Sequence, residues 1–197
     1  MKAFWNERYA APEYAYGVQP NEYFKQELDL LTPGKLLMPA EGEGRNAVYA
    51  ATRGWEVTAF DSSISGQTKA LQLAEEKKVT IDYQVLDAFE ADFPEDSFDA
   101  IGLIYVHLPA DFRQSFHRRV VSWLKPGGKL ILEGFGKAQL QYQSGGPRNL
   151  DMLFSPEMLR EDFASLKNLE ITETLTELRE GLYHVGQAAV VRVKAEK

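Results

Sequence analysis

The chain has 197 residues, 44% of them hydrophobic, a formal charge of −7 and no cysteine. That is one domain's length, enough to bury roughly 70% of the surface the unfolded chain exposes, and the lack of cysteine excludes disulfide frameworks, thiolate zinc sites and cysteine nucleophiles together. The acidic balance repels a polyanion, so no nucleic-acid partner is expected. No apolar run has signal-peptide length or approaches the roughly 20 residues of a membrane span, so no membrane partner and a cytoplasmic location are expected.

After a polar, aromatic N-terminal segment, a helix is expected over residues 21–31. Hydrophobic periodicity then alternates: strand 35–40, helix 45–53 stopped by Gly54, strand 56–60, helix from about 65 to 78, strand 81–86. A strongly apolar strand follows at 100–106 (AIGLIYV), then a helix at about 110–123 and a fifth strand at 129–135. Apolar runs of this length suit strands buried on both faces of a parallel sheet, and their alternation with helices gives βαβ units. The polar stretch 139–153, with Gly145-Gly146-Pro147 at its centre, is long for a loop and reads as a lid with glycine hinges. Ser155-Pro156-Glu157 opens a helix with a capping serine and proline at its first position. Strands at 169–176 and 185–193 are joined too closely for a helical crossover and so form an antiparallel pair. The expected fold is α/β: one Rossmann-like, doubly wound domain of seven strands, the last antiparallel, with helices on both faces.

Residues 36–61, LLMPAEGEGRNAVYAATRGWEVTAFD, carry the most chemistry: strand, glycine turn, helix, strand, and an acid at the second strand's end. Gly42 and Gly44 tolerate positive φ and let the backbone approach a ligand. On this reading Gly44→Val blocks ligand approach and spares the fold. Asp61 at a strand tip can accept bonds from both hydroxyls of a ribose, which points to an adenosine-bearing ligand. The same letters satisfy the dinucleotide fingerprint G-x-G-x-x-A, so the loop alone leaves a nicotinamide-dependent oxidoreductase open.

His107 follows the fourth strand at the carboxyl edge, where open α/β sheets place ligands. It is the candidate general base, with a strand-capping histidine as the plain alternative. Tyr105 on that edge either lines the pocket or is an interior tyrosine, the default for a strand this apolar. His184, beside Tyr183, faces either substrate or water, and His117 with Arg118 and Arg119 reads as a solvated helix face. The three histidines lack ligand spacing, so no metal is expected.

Several segments together resemble the class I S-adenosylmethionine-dependent methyltransferases. Of the family's D-x-G-x-G-x-G motif, Met38-Pro39-Ala40-Glu41-Gly42-Glu43-Gly44 keeps the last two glycines, replacing the first with Ala40 and the leading acid with Met38. Asp61 matches the ribose acid, Asp87 after YQVL the acid that reaches the adenine amino group, and Leu124-Lys125-Pro126-Gly127-Gly128 the common turn before the fifth strand. The resemblance implies S-adenosylmethionine as cofactor. Its cradle would comprise Ala40, Gly42 and Gly44, Asp61 with Ser62, Asp87 with Ala88 and Phe89, and Tyr105, with Glu41 near the methionine ammonium in place of the missing acid.

The segments FWNERYAAPEYAYGVQPNEYF, MPA, SGGP and EGLYHVG look like the branch of tellurite-resistance and thiopurine methyltransferases. There the N-terminal segment folds over the cofactor, which places Trp5, Tyr9 and Tyr16 at its methionine or adenine end. The resemblance divides the chain into a cover (1–34), a cofactor-binding core (35–136) and a lid loop, helix and terminal hairpin (137–197). The expected activity is methyl transfer to a small molecule or oxyanion, soft sulfur, selenium or tellurium acceptors included. An NAD(P)-dependent oxidoreductase and a non-catalytic S-adenosylmethionine-binding protein are the alternatives.

Overall fold

Leu36, Leu37 and Met38 in β1 (Lys35–Pro39), and Ile101 and Ile104 in β4 (Phe98–Ile104), are buried whichever face of the sheet they point to. Only the centre of a sheet covered on both sides accommodates that. The computed structural model, which describes residues 2–197, pairs these two strands in parallel at the middle of the sheet. The others are β2 (Glu56–Asp61), β3 (Asp82–Val85), β5 (Leu124–Phe135), β6 (Lys167–Glu180) and β7 (His184–Glu196), and the order is β3-β2-β1-β4-β5-β7-β6. β1 to β5 run parallel; β7, the chain's last strand, is reversed and sits between β5 and β6, antiparallel to both.

The helices are α1 (Lys2–Ala10), α2 (Glu22–Leu28), α3 (Arg45–Thr52), α4 (Ile64–Glu76), α5 (Ala110–Trp123) and α6 (Pro156–Asp162). One face of the sheet packs Phe116, Val120 and Trp123 of α5 with Leu159 of α6; the other packs Phe24 and Leu28 of α2, Val48 of α3 and Leu73 of α4. Starts are set by caps: Asn21, Ser63 and Ser155 side chains accept from Phe24, Gly66 and Met158 N–H groups, and Pro156 takes the first turn of α6.

Four local readings change. α1 has no strong amphipathic pattern and is held by tertiary contacts: Tyr9 is buried, and Ser63 Oγ donates to Asn6 Oδ1 at 2.8 Å. The Lys-Pro-Gly-Gly turn is a bulge inside β5, since pairing with β4 jumps from Phe98↔Leu124 to Ala100↔Lys129. The terminal hairpin is longer than its apolar letters suggest, because β6 is an edge strand whose residues are largely solvated. His117 is fully buried rather than solvated: its Nδ1 bonds Asp162 at 2.7 Å, and Arg113 Nε donates to that carboxylate at 2.7 Å. Among the described residues, no helix is long and apolar enough to cross a membrane.

Candidate functional site

A cavity of ≈ 570 Å³ opens over the carboxyl ends of β1, β2 and β4, roofed by α1 and walled by the loop after β5 and the β6–β7 turn. α1 and its following loop contribute Trp5, Tyr9 and Tyr16; the tip of β1, Ala40 and Glu41; the tip of β2, Asp61 and Ser62. Asp87, Ala88 and Phe89 line it after β3, Tyr105 and His107 after β4. The 88–91 loop is held from α5: Arg119 donates to the carbonyls of Ala88 and Ala91, each at 2.8 Å, and Phe89 stacks on Phe112 with centroids 3.9 Å apart. Arg119 is therefore a loop anchor, which also corrects its reading as part of a solvated face.

The tips of β1 and β2 are electrostatically unusual. Glu41 Oε1 accepts the Asn46 and Ala47 N–H groups at 2.8 Å each, capping α3 from the turn before it. Asp61 accepts Gly42 N–H on Oδ2 at 3.1 Å and Ser63 N–H on Oδ1 at 2.9 Å. Both side chains are buried, and burial pushes Glu41 up to about 7 in spite of those bonds. Burial also lifts Asp61 to about 6, with Asp87 adding to the effect. Two carboxylates so short of positive partners suit a ligand that brings an ammonium and hydroxyl donors.

Gly42 and Gly44 are absent from the cavity wall. Both have positive φ, +62° and +85°, but the space they leave is taken by protein. A Cβ on Gly42 would stand 2.6 Å from the Tyr9 hydroxyl, and one on Gly44 would stand 2.5 Å from Ala70 Cβ and 2.8 Å from its Cα. Gly44 thus lets α3 approach α4, and the ligand-facing reading of this residue is corrected. Gly44→Val should lower unfolding stability by roughly 1–3 kcal/mol through overpacking, plus about 1–2 kcal/mol for the left-handed backbone. A denaturant midpoint equal to wild type, with ligand binding lost, would restore the first reading.

His107 is also reassigned. Its Nδ1 lies 2.7 Å from the Met152 carbonyl and its Nε2 accepts Phe135 N–H at 3.0 Å, which fixes the Nδ1–H tautomer and uses the only lone pair. Burial drives its pKa down to about 4. It ties two segments of the cavity wall together and has no lone pair left for a substrate proton.

The imidazole with a usable nitrogen is His184, on the last hairpin and in the cavity wall. Glu180 Oε2 holds its Nδ1 at 3.0 Å, while its Nε2 has no hydrogen-bond partner among the described residues. Burial lowers its pKa, partly offset by Glu180, so the ring is neutral at pH 7. Burial alone would raise Glu180, but Arg45, donating at 3.0 Å, and His184 hold it down to about 2. Asn21 Nδ2 donates to Glu180 at 3.1 Å and to Glu133 at 2.6 Å, and Tyr105 OH donates to Glu133 at 3.0 Å. The sequence offered EGLYHVG as the only signal of this dyad, and none of Arg45, Asn21 and Glu133.

The 139–153 stretch forms one wall of the cavity. Buried Gln139 accepts Ala189 N–H of β7 at 2.8 Å and donates to Ser144 Oγ and the Gly145 carbonyl, each at 3.0 Å. Added Cβ atoms on Gly145 and Gly146 would meet His184 at 2.6 Å and Phe135 at 2.7 Å, so these glycines serve close packing. Among the described residues no three His, Cys, Asp or Glu side chains are grouped to hold a metal.

Residues 37–128 match the family model of a methyltransferase domain. Over 120 residues the chain is 28% identical to phosphoethanolamine N-methyltransferase 3 of Arabidopsis thaliana, which is 60% of this chain and 24% of the plant protein. The chain therefore spans about a quarter of that relative's length. TehB from Haemophilus influenzae superposes with a TM-score of 0.75 at 18% identity, over 100% of this chain and 66% of TehB. A protein of echinomycin biosynthesis, where a disulfide bond is converted into a thioacetal group, gives 0.79 at 16% identity over 99% of this chain and 88% of its own. The matched segment runs from β1 to the bulge in β5 and holds both buried carboxylates, Glu41 and Asp61, so the similarity to a methyltransferase domain falls on the part of the sheet that forms the cavity floor.

Proposed function

We propose that this chain transfers the methyl group of S-adenosylmethionine to a small acceptor held beside His184. One observation carries the reading: a single cavity has two buried carboxylates, Glu41 and Asp61, and elsewhere in its wall an imidazole whose Nε2 is unbonded among the described residues. When bound, S-adenosylmethionine supplies a methyl group on a positively charged sulfur. Asp61, with Ser62 beside it, would take the ribose hydroxyls, and Asp87 the adenine amino group against Ala88 and Phe89. Ala40 and Glu41 would meet the methionine end, Glu41 answering its ammonium. Trp5, Tyr9, Tyr16 and Tyr105 would exclude water; loss of charge in the reaction is favoured by a dry pocket, and reacting atoms must be held about 3–3.5 Å apart.

His184 Nε2 would accept the proton the acceptor sheds as its lone pair takes the methyl group. A thiol, with an ordinary pKa near 8.5, gives up its proton to a neutral imidazole more readily than an alcohol does, so a soft acceptor is the narrower reading. Titration calorimetry with S-adenosylmethionine, S-adenosylhomocysteine and NAD tests the cofactor half. Micromolar binding of the first two is expected, and saturable NAD binding without a response to either would overturn the proposal. Release of S-adenosylhomocysteine on a panel of thiols, selenite, tellurite, phosphoethanolamine and small amines then identifies the acceptor.

A further inference from the structure

Beyond Glu41, Asp61 and Asp87, the cavity wall carries three arginines, and they are not alike. Arg45 is neutralised by Glu180 at 3.0 Å. Arg8 and Arg148 have no carboxylate within 4.0 Å among the described residues, in a chain where acids outnumber bases 29 to 22. Arg148 bonds only neutral groups, the Gln143 side chain and the Leu140 carbonyl.

Arg8 packs against two aromatic rings. Its guanidinium lies 3.8 Å from the Tyr183 ring centroid and 4.8 Å from that of Phe4, which fixes the plane by cation–π contact and leaves its edge as the hydrogen-bonding surface. Of five N–H donors, one is used among the described residues, to the Tyr16 hydroxyl at 3.2 Å. The Tyr16 ring in turn packs on His184, centroids 4.4 Å apart. A pre-positioned guanidinium edge, one aromatic ring away from the open imidazole nitrogen, is a fork for a carboxylate or phosphate.

We propose that Arg8, aided by Arg148, binds an anionic group of the methyl acceptor, so that the acceptor is a small organic anion bearing a carboxylate or a phosphate monoester. This rests on the methyl-transfer reading and narrows its substrate class. The cofactor's own carboxylate is a poorer occupant. It is one carbon from the ammonium, which belongs beside Glu41 at the start of α3, whereas Arg8 lies against the β6–β7 turn. A bound anion would also raise the basicity of His184, its near neighbour across Tyr16, when a proton must be accepted.

The test titrates the S-adenosylhomocysteine-loaded protein with 3-mercaptopropionate, inorganic phosphate and 1-propanethiol. Saturable binding of at least one anion is expected, ten-fold or more tighter than the neutral thiol; which anion saturates separates the carboxylate from the phosphate source. Arg8→Gln should weaken the anion at least ten-fold, Arg8→Lys three- to ten-fold, and Arg148→Gln at least three-fold, with S-adenosylhomocysteine affinity within three-fold of wild type. Equal anion binding in wild type and Arg8→Gln, absence of saturable anion binding, or a ten-fold loss of S-adenosylhomocysteine affinity in Arg8→Gln would overturn the assignment, the last by giving Arg8 to the cofactor. If Arg8→Gln does not fold, Arg148→Gln decides by the same criterion. Failure of the methyl-transfer reading shows separately, as wild-type protein that does not bind S-adenosylhomocysteine.

Discussion

His184→Ala is expected to lower the methyl-transfer rate constant by roughly 10²- to 10⁴-fold, the range for loss of a positioned general base, with S-adenosylhomocysteine affinity changed by less than three-fold. The pH profile separates this from a packing defect. A neutral imidazole is the active form, so the rate should rise with pH along one acid limb and level off above it. That limb should lie below the ordinary histidine value of 6.5, because burial outweighs Glu180. Glu180→Gln removes the charge that favours the imidazolium, so its limb should move to still lower pH and its plateau should fall. His107→Gln gives the contrast: losing an acceptor for Phe135 N–H or a donor to Met152 should cost about 1–3 kcal/mol of stability and leave the limb in place. His107 titrates at about 4. A limb near that value persisting in His184→Ala would return the catalytic role to His107.

The fold was legible where a feature is local in the chain. Continuous apolar letters at 100–106 mean burial on both faces wherever the strand goes, and Ser155-Pro156 begins a helix in any surroundings. The Asp61 carboxylate was legible too, because a strand tip beside a glycine turn fixes its position within one βαβ unit. What failed depends on distant segments meeting. Arg45 finds Glu180 across 135 positions, and His117 finds Asp162 across 45, so neither burial could be read from neighbouring letters. A glycine announces tolerance of positive φ but not which neighbour takes the freed space; for Gly44 it is Ala70 of α4. The anchor of the 139–153 wall, Gln139 on Ala189, joins a polar letter to a strand 50 positions on and is equally invisible locally.

Cofactor affinity is expected to weaken roughly 10- to 100-fold between pH 7.5 and 5.5, because the carboxylates assigned to the cofactor would be protonated over that range. Glu41 and Asp61 titrate at about 7 and about 6, raised by burial. Ribose hydroxyls and an ammonium donate to the ionised forms, so binding should lower both values and release protons near pH 6.5. Stability of the free protein should respond with the opposite sign. An acid whose pKa rises on folding holds more protons folded than unfolded between its two values, from 3.8 to about 6 for Asp61 and from 4.5 to about 7 for Glu41. The contribution of these groups to stability therefore falls as pH rises through those windows. Asp61→Ala should cost about 1–3 kcal/mol of cofactor affinity at pH 7.5, the loss of a charge-assisted pair of bonds. Asp61→Asn should remove the step near 6, and Glu41→Gln the step near 7. Calorimetry in buffers of different ionisation enthalpy counts the released protons directly. An affinity flat from pH 5.5 to 7.5 with no proton release would separate both carboxylates from the ligand, and their burial would then need another partner.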